Sequence, residues 1–344
     1  MKKQLVALIL TFVMVLSLTA CGNQPSASTA PNDSGAQTQP QSTEDNWPTA
    51  DIPMIIPYGA GGGADLSSRA IAEYWGRNLG VDFTIENRGG ANGQTGTTHF
   101  LNQYNDTDPA VCFIAETQFT CSQILQSATY SLDDFSVISV IEKDPAVIGV
   151  NPDSPYKTFD DLNAAIKANP GQFKVGTQPT SAYYLLLLQT IKTFNWDVKI
   201  LFYEGNENVT ALAGGHIDIG VYGASSIVTN PYARCLVIGS PERWEHMPDV
   251  PTISELSGEQ MPFLGIMRMF AVRRDWAEKN PTRFQKLCDT YKAVFDMQDY
   301  KDTAKLSGKD TVQQYMNPED SQKAWLDMHN FALTYSEDLA NAGK

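Results

Sequence analysis

Between Ile52 and Gly96 the chain runs as an apolar strand, a glycine-rich turn, an amphipathic helix, a second strand and a second glycine turn. That order commits this stretch to an α/β unit with a helix crossing between strands. Four glycines and an alanine from Gly59 to Gly63 allow close backbone approach, and the helix opening near Ala64 presents unpaired N–H groups at its positive dipole end. Such a turn can cradle an anion.

Two readings fit it. As a dinucleotide site, Gly59-Ala60-Gly61-Gly62-Gly63-Ala64 satisfies G-x-G-x-x-G/A after a strand, and Glu86 ends the next strand about twenty residues on, which would make the chain a nucleotide-binding α/β enzyme. Against that, an ionised Asp65 in the first helical turn would repel a pyrophosphate. Alternatively, Pro57 to Arg69 and Glu86-Asn87-Arg88-Gly89-Gly90 follow the patterns P-x-x-x-GGG-x-D-x-x-x-R and ENR-x-G-x-x-G. In these the chain resembles the extracytoplasmic solute receptors of tripartite tricarboxylate transporters, the Bug proteins. The resemblance recurs in order at Asn151 to Thr158, Ala168 to Gly171, Gly214 to Asp218 and Met247 to Thr252, so it covers most of the chain beyond its N-terminal segment.

The resemblance implies an α/β, two-lobed periplasmic-binding-protein fold of the type 2 flytrap kind, with parallel-rich sheets flanked by helices. It implies a non-enzymatic receptor that captures a small organic carboxylate between its lobes and delivers it to integral membrane transporter subunits. A ligand-binding sensor lobe uncoupled from transport is a further reading of the same features. The family's chain path implies a discontinuous lobe one, 47–143 with 262–344, and a lobe two at 144–261. About three hundred residues also exceed what one core usually holds.

The N-terminus reads independently as an export signal. Met1-Lys2-Lys3 is basic, Leu5 to Leu18 is apolar but short for a membrane span, and Leu18-Thr19-Ala20-Cys21 resembles a bacterial lipobox. Residues 1–20 are expected to be cleaved and Cys21 to carry a lipid, anchoring the protein to the outer face of the cell membrane. Residues 21–46, rich in Ser, Thr, Gln, Pro and Asn, form the expected tether, because they cannot bury enough apolar surface to fold.

A formal net charge of −14 disfavours nucleic acid and gives no long-range steering of anions, so selectivity must be local. The receptor is expected to be a monomer without cofactor or metal: His99, His216, His246 and His329 are scattered, and no catalytic constellation appears. Cys112, Cys121, Cys235 and Cys288 match no zinc spacing; export permits disulfides among them in three connectivities, and buried free thiols are the preferred reading.

Further along, Thr158-Phe-Asp-Asp161 predicts a capped helix stopped at Asn169-Pro170-Gly171, followed by a strand at Phe173 to Val175, a helix from Ser181 to Phe194, and strands at Val198 to Phe202 and Ile217 to Tyr222. This alternation predicts parallel sheets with ligand loops at strand C-termini. Asn317-Pro318 opens a final helix with Trp325, Met328, Ala332, Tyr335 and Leu339 on one core stripe.

The family resemblance and the strand-end rule select Tyr58, Gly59, Ala60, Gly61, Gly62 and Asp65 in lobe one, with Thr117 and Gln118 after the strand Ala110 to Ile114. In lobe two they select Thr177, Thr180, Ser181, Tyr184, Tyr203 and Ser225. Arg69 is expected to pair with Asp65, and Glu86 to Arg88 to shape a turn. Neither Tyr58 to Ser68 nor Gly176 to Leu188 contains a base, so a carboxylate is expected to rest on neutral amides, hydroxyls and water. With Asp65, Glu116 and Glu204 expected near the cleft, repulsion favours a ligand with one carboxylate, such as an amino acid or an aromatic acid, over citrate.

Overall fold

A computed structural model describes residues 46–107, 109–204 and 207–342. The expected signal segment, Cys21 and the tether up to Asp45 lie outside the described residues, as do Gly205 and Asn206 beside Glu204.

The strands are β1 (Ile52–Ile56), β2 (Phe83–Asn87), β3 (Val111–Ala115), β4 (Phe135–Val150), β5 (Lys174–Thr177), β6 (Lys199–Phe202), β7 (Ile219–Gly223), β8 (Arg234–Ile238) and β9 (Gly265–Arg273). Their order is β2-β1-β3-β9-β4-β7-β5-β6, with β8 also on β4. The alternating segments give parallel neighbours as expected: β1 pairs parallel with β2 and β3, and β5 with β6 and β7. β4, β8 and β9, which lie outside that alternation, run antiparallel to their partners. The first part of β4 pairs with β9 as far as Pro145↔Gly265, and from Ala146 onward it pairs with β7 and β8, so one sixteen-residue strand joins the β2-β1-β3-β9 part of the sheet to the β7-β5-β6 part.

Helices follow the strands: α1 (Gly63–Leu79), α2 (Gln94–Gln103), α3 (Glu116–Gln126), α4 (Phe159–Ala168), α5 (Ala182–Phe194), α6 (Glu207–Ala213) and α7 (Ala224–Thr229). α1 ends on left-handed Gly80, and α4 carries the predicted capping box of Thr158 and Asp161. α5 is apolar on nearly all sides because Leu185, Leu186, Leu187 and Leu188 are all buried. Each such side chain contributes about 1.5–3 kcal/mol on leaving water. Around β1, β3 and β9, Trp75 packs against Phe83, Phe270 and Tyr291.

The final stripe is buried as expected, but on two helices. The helix Pro318–Leu333 stops, and Ser336–Asn341 begins a second, where Tyr335 leaves helical geometry and donates its hydroxyl to Gln189 Oε1 at 2.6 Å. Trp325 and Met328 join one core, while Ala332, Tyr335 and Leu339 join the one built on α5. Among the described residues no helix is long and apolar enough to cross a membrane.

Candidate functional site

The site begins where β1 runs into α1. Gly61 adopts φ 77°, and its N–H donates to Asp65 Oδ2 at 2.8 Å. Asp65 Oδ1 accepts from Arg69 Nε at 2.8 Å, Arg69 Nη2 donates to Asn87 Oδ1 at 3.0 Å, and Asn87 Nδ2 donates to the Tyr58 carbonyl at 3.2 Å. A ring of bonds thus ties the motif residues of the first glycine turn to those of the second. Burial alone would raise the Asp65 carboxyl, but the bonds from Gly61, Asn87 and Arg69 hold it below the usual carboxylate range. Asp65 therefore shapes the loop, as Arg69 does, and lines neither of the cavities described below.

The second turn packs beneath the first. A β-carbon on Gly89 would sit 3.2 Å from Gly59 N, and one on Gly93 3.0 Å from the Tyr58 hydroxyl. No side chain caps α1 at Gly62, and Gly62, Gly63 and Ala64 at its start line a cavity of about 430 Å³. This cavity is lined by Tyr58, Gly59, Ala60, Gly62, Gly63, Ala64, Ala115, Gln118, Ile266 and Arg268. A smaller adjoining pocket of about 40 Å³ shares Gln118 and Ile266 and adds Thr117, Gln178, Ser181, Ala182, Tyr183 and Met267. The starts of α1, α3 and α5 converge here, as the strand-end rule requires.

The cavity holds one base that the sequence reading missed. In register, Arg268 of β9 lies beside Ala115 of β3 on one side and Glu142 of β4 on the other. Its Nη1 donates to Glu142 Oε2 at 2.7 Å, Lys309 Nζ donates to Glu142 Oε1 at 2.9 Å, and Ser67 Oγ of α1 approaches Oε2 at 3.5 Å. Burial would raise the Glu142 carboxyl, but Arg268 and Lys309 hold it below the usual range. The available signal was an arginine in the middle of GIMRMFAVR, a strand otherwise apolar up to its terminal Arg273.

The other predicted residues divide. Ser181 caps α5, accepting from Tyr184 N and donating to the Gln178 carbonyl. Thr180 sits at φ 49° with its carbonyl accepting from Cys121 Sγ. Thr177 is buried with no partner for Oγ1 among the described residues. Tyr203 packs against the Gly176 backbone, and Glu204 is exposed. Tyr184 turns into the α5 core, where it meets Phe202 edge-on at 5.2 Å; its neighbour Tyr183 lines the pocket instead. Ser225 is engaged by Asp144, which accepts from its N–H at 2.9 Å and its hydroxyl at 2.7 Å. Cys112, Cys121, Cys235 and Cys288 are free, and burial pushes the Cys121, Cys235 and Cys288 thiols up to about 12. Among the described residues no three His, Cys, Asp or Glu side chains converge as a metal set.

Glu116 does not face the cleft. It is wholly buried under α3, accepting from Thr117 Oγ1 at 3.1 Å and Thr120 Oγ1 at 2.8 Å, and Thr120 Oγ1 meets His329 Nδ1 at 2.7 Å. Burial pushes its carboxyl from 4.5 up to about 7, an effect the two hydroxyls only partly offset. Because the folded value is raised, the stability it contributes is complete below pH 4.5 and is lost as pH rises through about 7. Glu116→Gln should flatten that loss, gaining about 3 kcal/mol over the native protein at pH 8 at 1.36 kcal/mol per unit. Urea unfolding from pH 5 to 8 checks it; parallel profiles for the two proteins would show that Glu116 does not titrate in this window.

Comparison with known proteins then adds family and fold. A model of the tripartite tricarboxylate transporter family receptor matches residues 67–329. The UPF0065 protein of the ttuE-ttuC' intergenic region of Agrobacterium vitis is 26% identical over 217 residues, 62% of this chain and 63% of that protein, so the match spans less than two thirds of its length. Protein BugT of Bordetella pertussis is 27% identical over 220 residues, 62% of this chain and 67% of that one. Among solved structures, a ligand-free TctC solute binding protein from Polaromonas superposes with TM-score 0.73 at 23% identity, covering 86% of this chain and 99% of that chain. MatC of Rhodopseudomonas palustris with bound malate gives 0.61 at 19%, covering 86% and 100%, and another R. palustris protein with adipate gives 0.62 at 17%, covering 86% and 98%. The fold is the mixed α/β, two-lobed one of periplasmic binding proteins.

Proposed function

The chain belongs to the tripartite tricarboxylate transporter receptor family, and from that premise we propose that it is an exported, lipid-anchored solute receptor. It captures a small organic carboxylate in the cleft between its lobes and hands it to the membrane subunits of a transporter. Lobe one is 47–143 with 262–344 and lobe two 144–261; β4 and β9, which pair up to Pro145↔Gly265, serve as the connection between them. Cys21 carries the lipid and 21–46 the tether.

One observation carries this reading. The uncapped start of α1 and the loops opening α3 and α5 meet around one cavity system whose groups are suited to a carboxylate and a polar body. Malate and adipate in structural neighbours support that ligand class. The preference for a single carboxylate loses its electrostatic ground, because Asp65 and Glu116 are turned inward and Arg268 lines the cavity.

A thermal-shift and calorimetric panel of malate, adipate, glutamate, benzoate and NAD tests it. A carboxylate present at a hundred times its Kd should stabilise the protein by about 2.7 kcal/mol. A response to NAD alone, with none to the acids, would overturn the receptor reading in favour of the nucleotide one.

A further inference from the structure

We infer that Arg268 is the specificity-determining residue of the cleft: its guanidinium anchors one ionised carboxylate of the ligand at the start of α1. This rests on the solute-binding reading above and adds what that reading leaves open, which charge the site demands and where.

Two positive features meet at the cavity wall, with Glu142 paired to Arg268 from the side of β4. A β-carbon on Gly63, the first residue of α1, would stand 3.7 Å from Arg268 Nη2, so the guanidinium lies against the positive end of a seventeen-residue helix. Glu142 takes only Nη1, and it is shared with Lys309. Nε and Nη2 of Arg268 have no partner among the described residues and belong to a side chain that lines the cavity. An anion placed there would accept from the guanidinium and the helix amides together, the arrangement that suits a planar carboxylate.

Arg268 is also the one formally charged side chain lining either pocket among the described residues. The far end of the cleft is lined by Gln118, Gln178, Ser181 and Tyr183, all neutral. The site therefore takes an organic acid with one ion-paired carboxylate and a body, or second acid group, held by neutral hydrogen bonds. Converting one carboxylate of a diacid to its amide should cost little, whereas removing the last carboxylate should cost about 10- to 100-fold in affinity.

The test takes the acid among malate, adipate, glutamate and benzoate that binds the native protein most tightly, and its amide with no carboxylate left. Arg268→Gln should weaken the acid about 10- to 100-fold and leave the amide unchanged, with Arg268→Lys between. Because Arg268→Gln leaves Glu142 facing Lys309 alone, the double variant Glu142→Gln/Arg268→Gln, with its unfolding midpoint measured, supplies a charge-balanced second readout. A folded variant that binds the acid as tightly as the native protein overturns the anchor and leaves the receptor reading standing. Failure of every acid to bind the native protein overturns the receptor reading and the anchor with it.

Discussion

Gly96→Ala should be among the most damaging single changes in this protein, lowering its stability by about 3 kcal/mol or more, while Gly59→Ala in the loop above should cost less than about 0.5 kcal/mol. Gly59 lies in the first glycine turn and Gly96 in the first turn of α2, directly after the second, and what a β-carbon would meet decides the difference. On Gly96 it would lie 2.5 Å from the Arg88 carbonyl oxygen and 2.6 Å from Pro57 Cα, both backbone. Neither can yield, since the N–H of Arg88 is bonded to the Ile56 carbonyl at 2.8 Å and Pro57 continues β1 into the glycine loop. On Gly59 it would meet nothing within 4 Å, but it would project from a residue that lines the cavity. Urea unfolding and acid binding should therefore part company: Gly96→Ala lowers the unfolding midpoint strongly, and Gly59→Ala keeps the midpoint and binds more weakly. Equal stability of Gly96→Ala and the native protein would show that the two turns are not packed as described.

That contrast marks what the sequence made legible. The glycine motif, the capping box at Thr158 and the helix start at Ser181 are local and legible in spacing, whereas the loops at the ends of β1, β3 and β5 were selected by the family resemblance together with the strand-end rule. Arg268 was illegible because its meaning comes from pairing across 126 residues: the register that sets it between Ala115 and Glu142 is a property of the assembled sheet. Tyr184 was chosen over Tyr183 because successive positions on a helix point about 100° apart, and only the packed phase of α5 shows which ring faces Phe202. Asp65 and Glu116 looked like cleft acids because a strand-end position says where a residue lies and nothing about which way its carboxylate turns.

The same long-range pairing sets the other large effect. Glu142→Gln should cost about 3–5 kcal/mol, because it leaves the Arg268 guanidinium without its counter-ion in a mostly buried site. Lys309→Met should cost about 1 kcal/mol or less, since Lys309 is 35% exposed and its loss leaves the Glu142 and Arg268 pair intact. The difference should survive high salt, which screens exposed pairs far more than buried ones. Acid should expose it too. The folded value of Glu142 is depressed, so its contribution is complete above the ordinary glutamate range and is lost as pH falls through the folded value. Glu116 acts in the opposite sense, losing its contribution as pH rises through about 7. Between them the native protein should be most stable in mildly acidic solution, with Glu142→Gln flattening the acid limb of the profile and Glu116→Gln the alkaline one. Urea midpoints from pH 3 to 8 would read both limbs at once, and a Glu142→Gln protein that keeps the native acid limb would place the acid-labile pair elsewhere in the molecule.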